Sequence, residues 1–151
     1  MLANRSMPRC TVIPELAYPD IGDAIDWLSE AFGFTLRLRI GNHRAQLNVG
    51  DGAVVLTEQR VDDGSDSPGT ARSWPQRRGE LMHAVMVRVE DVNTHHEAAS
   101  QRGARILRPP TDYPYGERQY TAEDLGGHCW TFSQSIADIA PEEWGCTPGQ
   151  L

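Results

Sequence analysis

Tyr113 to Gln134, YPYGERQYTAEDLGGHCWTFSQ, is the stretch that decides how the chain is read. Arg118-Gln119-Tyr120-Thr121 and Cys129-Trp130-Thr131-Phe132 are rich in β-branched and aromatic residues, the composition of strands. Between them lies the acidic, glycine-rich turn Glu123-Asp124-Leu125-Gly126-Gly127, whose paired glycines tolerate positive φ at a reversal. The stretch predicts a β-hairpin.

Working outward, the same kind of unit is found twice. In the first half a strand from about Cys10 to Tyr18 leads through Pro19-Asp20-Ile21 into a helix. Three strand-like runs follow it: TLRLRI (Thr35 to Ile40), RAQLNV (Arg44 to Val49) and AVVLTEQ (Ala53 to Gln59). Ala24, Trp27, Leu28, Ala31 and Phe32 recur at helical spacing, and Gly33 supplies a stop. In the second half LMHAVMVRVEDV (Leu81 to Val92) gives a strand and turn, and Asn93 to Arg102 a helix stopped by Gly103. ARILRPP, GERQYTAED and HCWTFSQ complete the set. Asp20 maps on Asp91 and Gly33 on Gly103, at offsets of 91 − 20 = 71 and 103 − 33 = 70, so the two halves keep register to about one residue. The expected organisation is one domain with module 1 at about 10–60, a linker at 61–80, module 2 at about 81–135 and a tail at 136–151. The linker VDDGSDSPGTARSWPQRRGE is rich in Gly, Ser, Asp and Pro, and its Trp74 reads either as an anchor on the sheet or as a lid over a ligand. Trp144, in PEEWG, is expected to dock with a short helical turn.

The closing hairpin resembles that of the vicinal-oxygen-chelate superfamily, the glyoxalase, bleomycin-resistance and extradiol-dioxygenase group. In that group an (E)R-x-Y-x-x-x-D-P-x-G-H-x-W-x-F pattern recurs; here Glu117 to Phe132 follow it, with Leu125 in place of the usual proline. The resemblance covers about Cys10 to Gln134. It implies an α+β fold, two βαβββ modules forming a curved mixed-sheet cleft with the helices on the convex side, and a homodimer.

The resemblance also implies where a divalent metal would be held: by His and Glu side chains on the first and last strands of each module. The corresponding positions are Ile13, Ala84, Thr131 and either Val55 or Leu56, none of them a metal ligand. His83, one residue before Ala84, falls on the opposite strand face by alternation, and Glu58 stands at a strand end. His95 and His96 in the second helix and His43 in a hairpin loop read as solvated, and His128 as a turn residue. The expectation is a site without metal; the alternative is one divalent ion held in a shifted register by His83, Glu58 and Glu15.

Composition excludes other classes. The chain has 14 basic and 21 acidic side chains, a net charge of −7, which disfavours a nucleic-acid partner. No window approaches the roughly 18 apolar residues of a membrane span, and MLANRSMPRC lacks a signal peptide's apolar run, so a cytoplasmic protein is expected. Cys10, Cys129 and Cys146 fit neither a disulfide framework nor a zinc finger.

Strand alternation supplies a ligand-binding inventory. If Val12, Leu16 and Tyr18 pack on the helix, then Ile13, Glu15 and Ala17 face the cleft. By the same parity the cleft receives Gln46, Asn48, Ala84, Met86, Arg88, Gln119, Thr121, Cys129, Thr131 and Ser133, with Trp130 and Phe132 left to the core. The candidate ligand contacts are Glu15, Gln46, Asn48, Trp74, Met86, Arg88, Gln119, Thr121 and Thr131. No activated nucleophile or phosphate loop accompanies them. The expected function is therefore metal-free binding of a small molecule, an antibiotic or metabolite, with Glu15 and the acidic balance favouring a cationic ligand. The alternative is a metal-dependent lyase, isomerase or dioxygenase.

Overall fold

In this computed structural model of the chain, the described residues are 2–59, 83–145 and 147. Trp74, the 61–80 linker and Cys146 lie outside them. The chain divides into two compact units, Met1–Met82 and His83–Leu151.

The first unit holds β1 (Glu15–Tyr18), α1 (Ile21–Phe32), β2 (Thr35–Ile40), β3 (Arg44–Val49) and β4 (Gly52–Glu58). Its sheet has the order β1-β4-β3-β2, with β1 parallel to β4 and the other pairs antiparallel. The second unit repeats this with β5 (Val85–Arg88), α2 (Val92–Gln101), β6 (Arg105–Tyr113), β7 (Glu117–Glu123) and β8 (Cys129–Ser135), in the order β5-β8-β7-β6. A 3₁₀ turn, Pro141–Trp144, follows. The fold is α+β, two four-stranded mixed sheets with a helix each, and the duplication extends to detail. Asp20 and Asp91 both cap their helices, and Gly33 and Gly103 both leave them at positive φ, 77° and 85°. The second strand of each module breaks register at equivalent places, around Arg37 and around Leu107, an offset of 107 − 37 = 70.

Helix α1 is held by burial. Ile21, Ala24, Ile25, Leu28, Ala31 and Phe32 are all buried, and Leu16, Tyr18, Ala45, Leu47, Val54 and Leu56 form the sheet side of the same core. Helix α2 buries only Val92 and Ala99, so its docking rests on rings. His95 packs tilted against Phe132 at 4.2 Å between centroids, and its Nδ1 lies 2.6 Å from the Tyr120 hydroxyl. His96 meets Tyr120 edge to face at 5.2 Å. Both histidines are half-buried and not solvated as the sequence suggested, because an imidazole offers apolar faces that this polar helix otherwise lacks. Burial pushes the Tyr120 phenol far above its ordinary value, so it stays protonated and able to donate.

Both first strands are shorter than alternation suggested. β1 begins at Glu15, after Pro14, which cannot donate to a ladder; Val12 is 77% exposed, and Ile13 lies outside the strand. β5 begins at Val85, whose partner Trp130 is the second residue of β8, so the pairing of the two strands starts one residue inside β8. His83 and Ala84 therefore precede β5 and are exposed, so strand parity assigns neither of them a face. β6 runs to Tyr113, through Pro109-Pro110, beyond the expected Pro110; an edge strand tolerates prolines because its outer N–H groups need no partner.

Asp91 carries a pH prediction. Its carboxylate accepts from the Thr94 N–H and hydroxyl, each at 3.0 Å, and these bonds hold its pKa below the ordinary 3.8. A depressed folded-state pKa stabilises the fold above the unfolded value, and that stabilisation disappears as pH falls through the folded one. Asp91→Asn should therefore flatten the acid limb of the stability curve, as measured by urea titrations between about pH 5 and 2.

Candidate ligand-binding faces

Each sheet has one face packed on its helix and one turned away, and the two periods of the strands place the candidate residues. In the second unit the face away from α2 carries Met86 and Arg88 from β5, Cys129, Thr131 and Ser133 from β8, and Glu117, Gln119 and Thr121 from β7, since Met86 pairs with Thr131 and Thr131 with Thr121. Trp130, Phe132, Tyr120 and Ala122 alternate to the opposite, buried side.

These side chains form a hydrogen-bonded ladder. The Thr121 and Thr131 hydroxyls are 3.3 Å apart, and Gln119 Nε2 donates to Ser133 Oγ at 3.0 Å. Ser133 Oγ in turn donates to Glu117 Oε1 at 3.1 Å, while the Tyr115 hydroxyl donates to Gln119 Oε1 at 3.4 Å. Arg88 donates to Ser135 Oγ and lies 3.4 Å from Glu117 Oε1. Met86, 63% exposed, is an apolar surface beside this polar row. Burial, with Glu123 and Asp124 nearby, pushes the Cys129 thiol above its ordinary value, which disfavours the thiolate.

In the first unit Glu15, Gln46 and Asn48 share the face away from α1, since Glu15 and Gln46 both pair with Val55. Glu15 is ion-paired with Arg44 at 3.2 Å, both about half exposed. Gln46 is only 3% exposed, because the chain's own residues Arg5–Met7 lie against it: its Nε2 donates to Ser6 O at 3.0 Å. Arg37 completes that contact, donating to Arg5 O, Met7 O and Gln46 Oε1. The register break after Leu36 lets Arg37 reach this face. Arg37 and the Arg5–Met7 turn were missed from sequence, since TLRLRI alternates without a sign of a bulge. Glu117 and Arg44 were missed too, though both stand in register with residues that parity did select.

Pairing also fixes the module equivalence for a metal. Glu15 faces Val55 as Met86 faces Thr131, so Val55, and not Leu56, is the counterpart of Thr131. Ile13, Ala84, Val55 and Thr131 offer no carboxylate or imidazole, and this donor set does not fit a divalent ion. Among the described residues no group of three His, Cys, Asp or Glu converges. Glu58 is engaged by His43 Nδ1 at 3.2 Å.

A model of the glyoxalase/bleomycin resistance protein/dioxygenase superfamily matches residues 9–132. The chain belongs to this superfamily. Among solved structures it is similar to TioX from Micromonospora sp. ML1, at 37% identity over 82% of this chain and 97% of that one, with a TM-score of 0.65. Lactoylglutathione lyase from Agrobacterium tumefaciens shares the fold at 13% identity and a TM-score of 0.62, over 85% of this chain and 96% of that one. An uncharacterised protein of Mycobacterium bovis is 24% identical over 135 residues, 86% of each chain. Superfamily membership thus accounts for the architecture, and the side chains on its open faces must account for the activity. Among the described residues no helix is long and apolar enough to cross a membrane.

Proposed function

We propose that this superfamily member binds a small molecule, an antibiotic or metabolite, without transforming it and without a metal. The observation that carries this reading is the open face of the second sheet. Its hydroxyls and amide are oriented by one another, Met86 supplies exposed apolar surface, and none of its groups is activated for chemistry. Oriented hydroxyls and amides suit a ligand with matching polar groups. The two charges selected from sequence are compensated within their own sheets, Glu15 by Arg44 and Arg88 by Glu117. A neutral amphipathic ligand therefore fits better than the cationic one that the acidic balance suggested. A homodimer belongs to the same proposal, checked by sedimentation.

The test combines elemental analysis of protein purified without chelator with thermal-shift screening of matched neutral, cationic and anionic compounds. Substoichiometric metal, no upward shift with divalent ions, and stabilisation by neutral compounds are expected. One tightly held divalent ion per chain would overturn the reading in favour of a metal-dependent lyase, isomerase or dioxygenase.

A further inference from the structure

The N-terminal segment meets the first sheet through its backbone carbonyls. Asn4 to Met7 form a tight turn, closed by Met7 N donating to Asn4 O at 3.3 Å and Ser6 N donating to Asn4 Oδ1 at 3.0 Å. The turn directs three consecutive carbonyls at the sheet. Arg37 Nη2 donates to Arg5 O at 2.8 Å and Met7 O at 3.1 Å, and Gln46 Nε2 donates to Ser6 O at 3.0 Å. Arg37 Nη1 also donates to Gln46 Oε1, which turns the amide so that its NH₂ faces the carbonyls.

Among the described residues little else holds the segment. Residues 2–7 are all exposed, Leu2 at 94% and Met7 at 39%, so the turn adds no side chain to the core. Met7 Sδ reaches Gln46 Nε2 only at 3.9 Å. Apart from that sulfur contact, the hydrogen bonds from the sheet's described residues to the segment go to backbone oxygens and would be met by another molecule with the same oxygens. Gln46, by contrast, is 3% exposed, and its buried NH₂ needs an acceptor, since leaving a buried amide donor unpaired is costly.

From this we infer that Arg37 and Gln46 form a binding site for a compact, carbonyl-rich molecule of the peptide-turn type, and that residues 4–7 are its built-in occupant, exchanged for the ligand when it binds. The inference rests on the small-molecule reading only in assigning the face to a ligand; it involves neither the second sheet nor metal content. A short tether holds the turn at an effective concentration on the order of millimolar, so an outside ligand must overcome that competition. The segment thus sets an affinity threshold, rejecting molecules that present a single carbonyl.

The test uses the full chain with a protease recognition sequence inserted between Thr11 and Val12, both exposed, folded intact, then cut and dialysed. The nitrogen-15 resonances of the Gln46 amide and Arg37 Nε report on the site. Removal of the segment should shift both, and an acetylated, amidated Asn4–Pro8 peptide should return them saturably to their positions in the intact chain. The intact chain should take up the same peptide at least about tenfold more weakly. A peptide with Arg5 and Ser6 replaced by alanine should bind the cut chain equally well, because the sheet's bonds to these two residues go to their carbonyls and not to their side chains. Unshifted resonances after cleavage, no binding to the cut chain, or equal binding to intact and cut chains would each overturn the inference. Should the cut chain lose its fold, Arg37→Gln in the intact chain decides instead: release of the Ser6 and Met7 amides to random-coil shifts supports the inference, and their retention refutes it. Failure here leaves the metal and screening results untouched, and the converse also holds.

Discussion

Trp130→Ala should destabilise the fold by on the order of 3–5 kcal/mol, whereas Thr131→Ala, one residue away, should change it by less than about 1 kcal/mol. The contrast follows from alternation on β8. Trp130 is 0% exposed and lies parallel to the Phe132 ring at 6.4 Å between centroids, so truncation opens a cavity in the second unit's core. Thr131 is half-buried on the other face and gives up one hydroxyl contact with Thr121, at 3.3 Å. Urea unfolding of both variants measures the difference. Similar midpoints would mean that the β8 parity is wrong, and the polar row assigned to ligand binding would fall with it.

Much of that parity was legible in the sequence, for a physical reason. Helix ends are written locally: an aspartate that accepts from the N–H three residues on, as Asp20 does from Asp23 at 2.8 Å, and a glycine at positive φ, as at Gly33. Strand faces are likewise written locally, because period two places Met86 and Arg88, or Gln119 and Thr121, without knowledge of the partner strand. What failed depends on partners distant in sequence. The bulge that frees Arg37 is invisible in a perfectly alternating TLRLRI, and its carbonyl acceptors lie 30 and 32 residues away. His95 and His96 read as surface residues until Tyr120 and Phe132 arrive against them. The start of β5 lies where its pairing with β8 begins, at Val85 and Trp130, a fact of pairing that no property of His83 or Ala84 encodes.

Asp124→Ala should come close to Trp130→Ala in severity, at roughly 3–4 kcal/mol summed over the donors it strands. The residue is 6% exposed, and its carboxylate serves three donors among the described residues. Oδ1 accepts from the Gly126 and His128 N–H groups, each at 2.9 Å, which shapes the turn between β7 and β8; Oδ2 accepts from the Trp130 indole N–H at 2.9 Å, which ties that turn to the core. Alanine removes both acceptor oxygens and strands all three donors together, and the indole N–H is the one that water cannot reach without disrupting the packing. Asp124→Asn keeps the Oδ1 contacts and sets an NH₂ against the indole, so it should lose less than alanine but still more than about 1 kcal/mol. The two sites should also be coupled. Once Trp130 is replaced by phenylalanine no indole N–H remains to be stranded, so Asp124→Ala should be milder in that background by about 1–2 kcal/mol. A double-mutant cycle by chemical denaturation measures this directly. Strict additivity would mean that Asp124 acts only on its own turn, and that the acidic residue of the hairpin motif does not anchor the buried tryptophan six positions later.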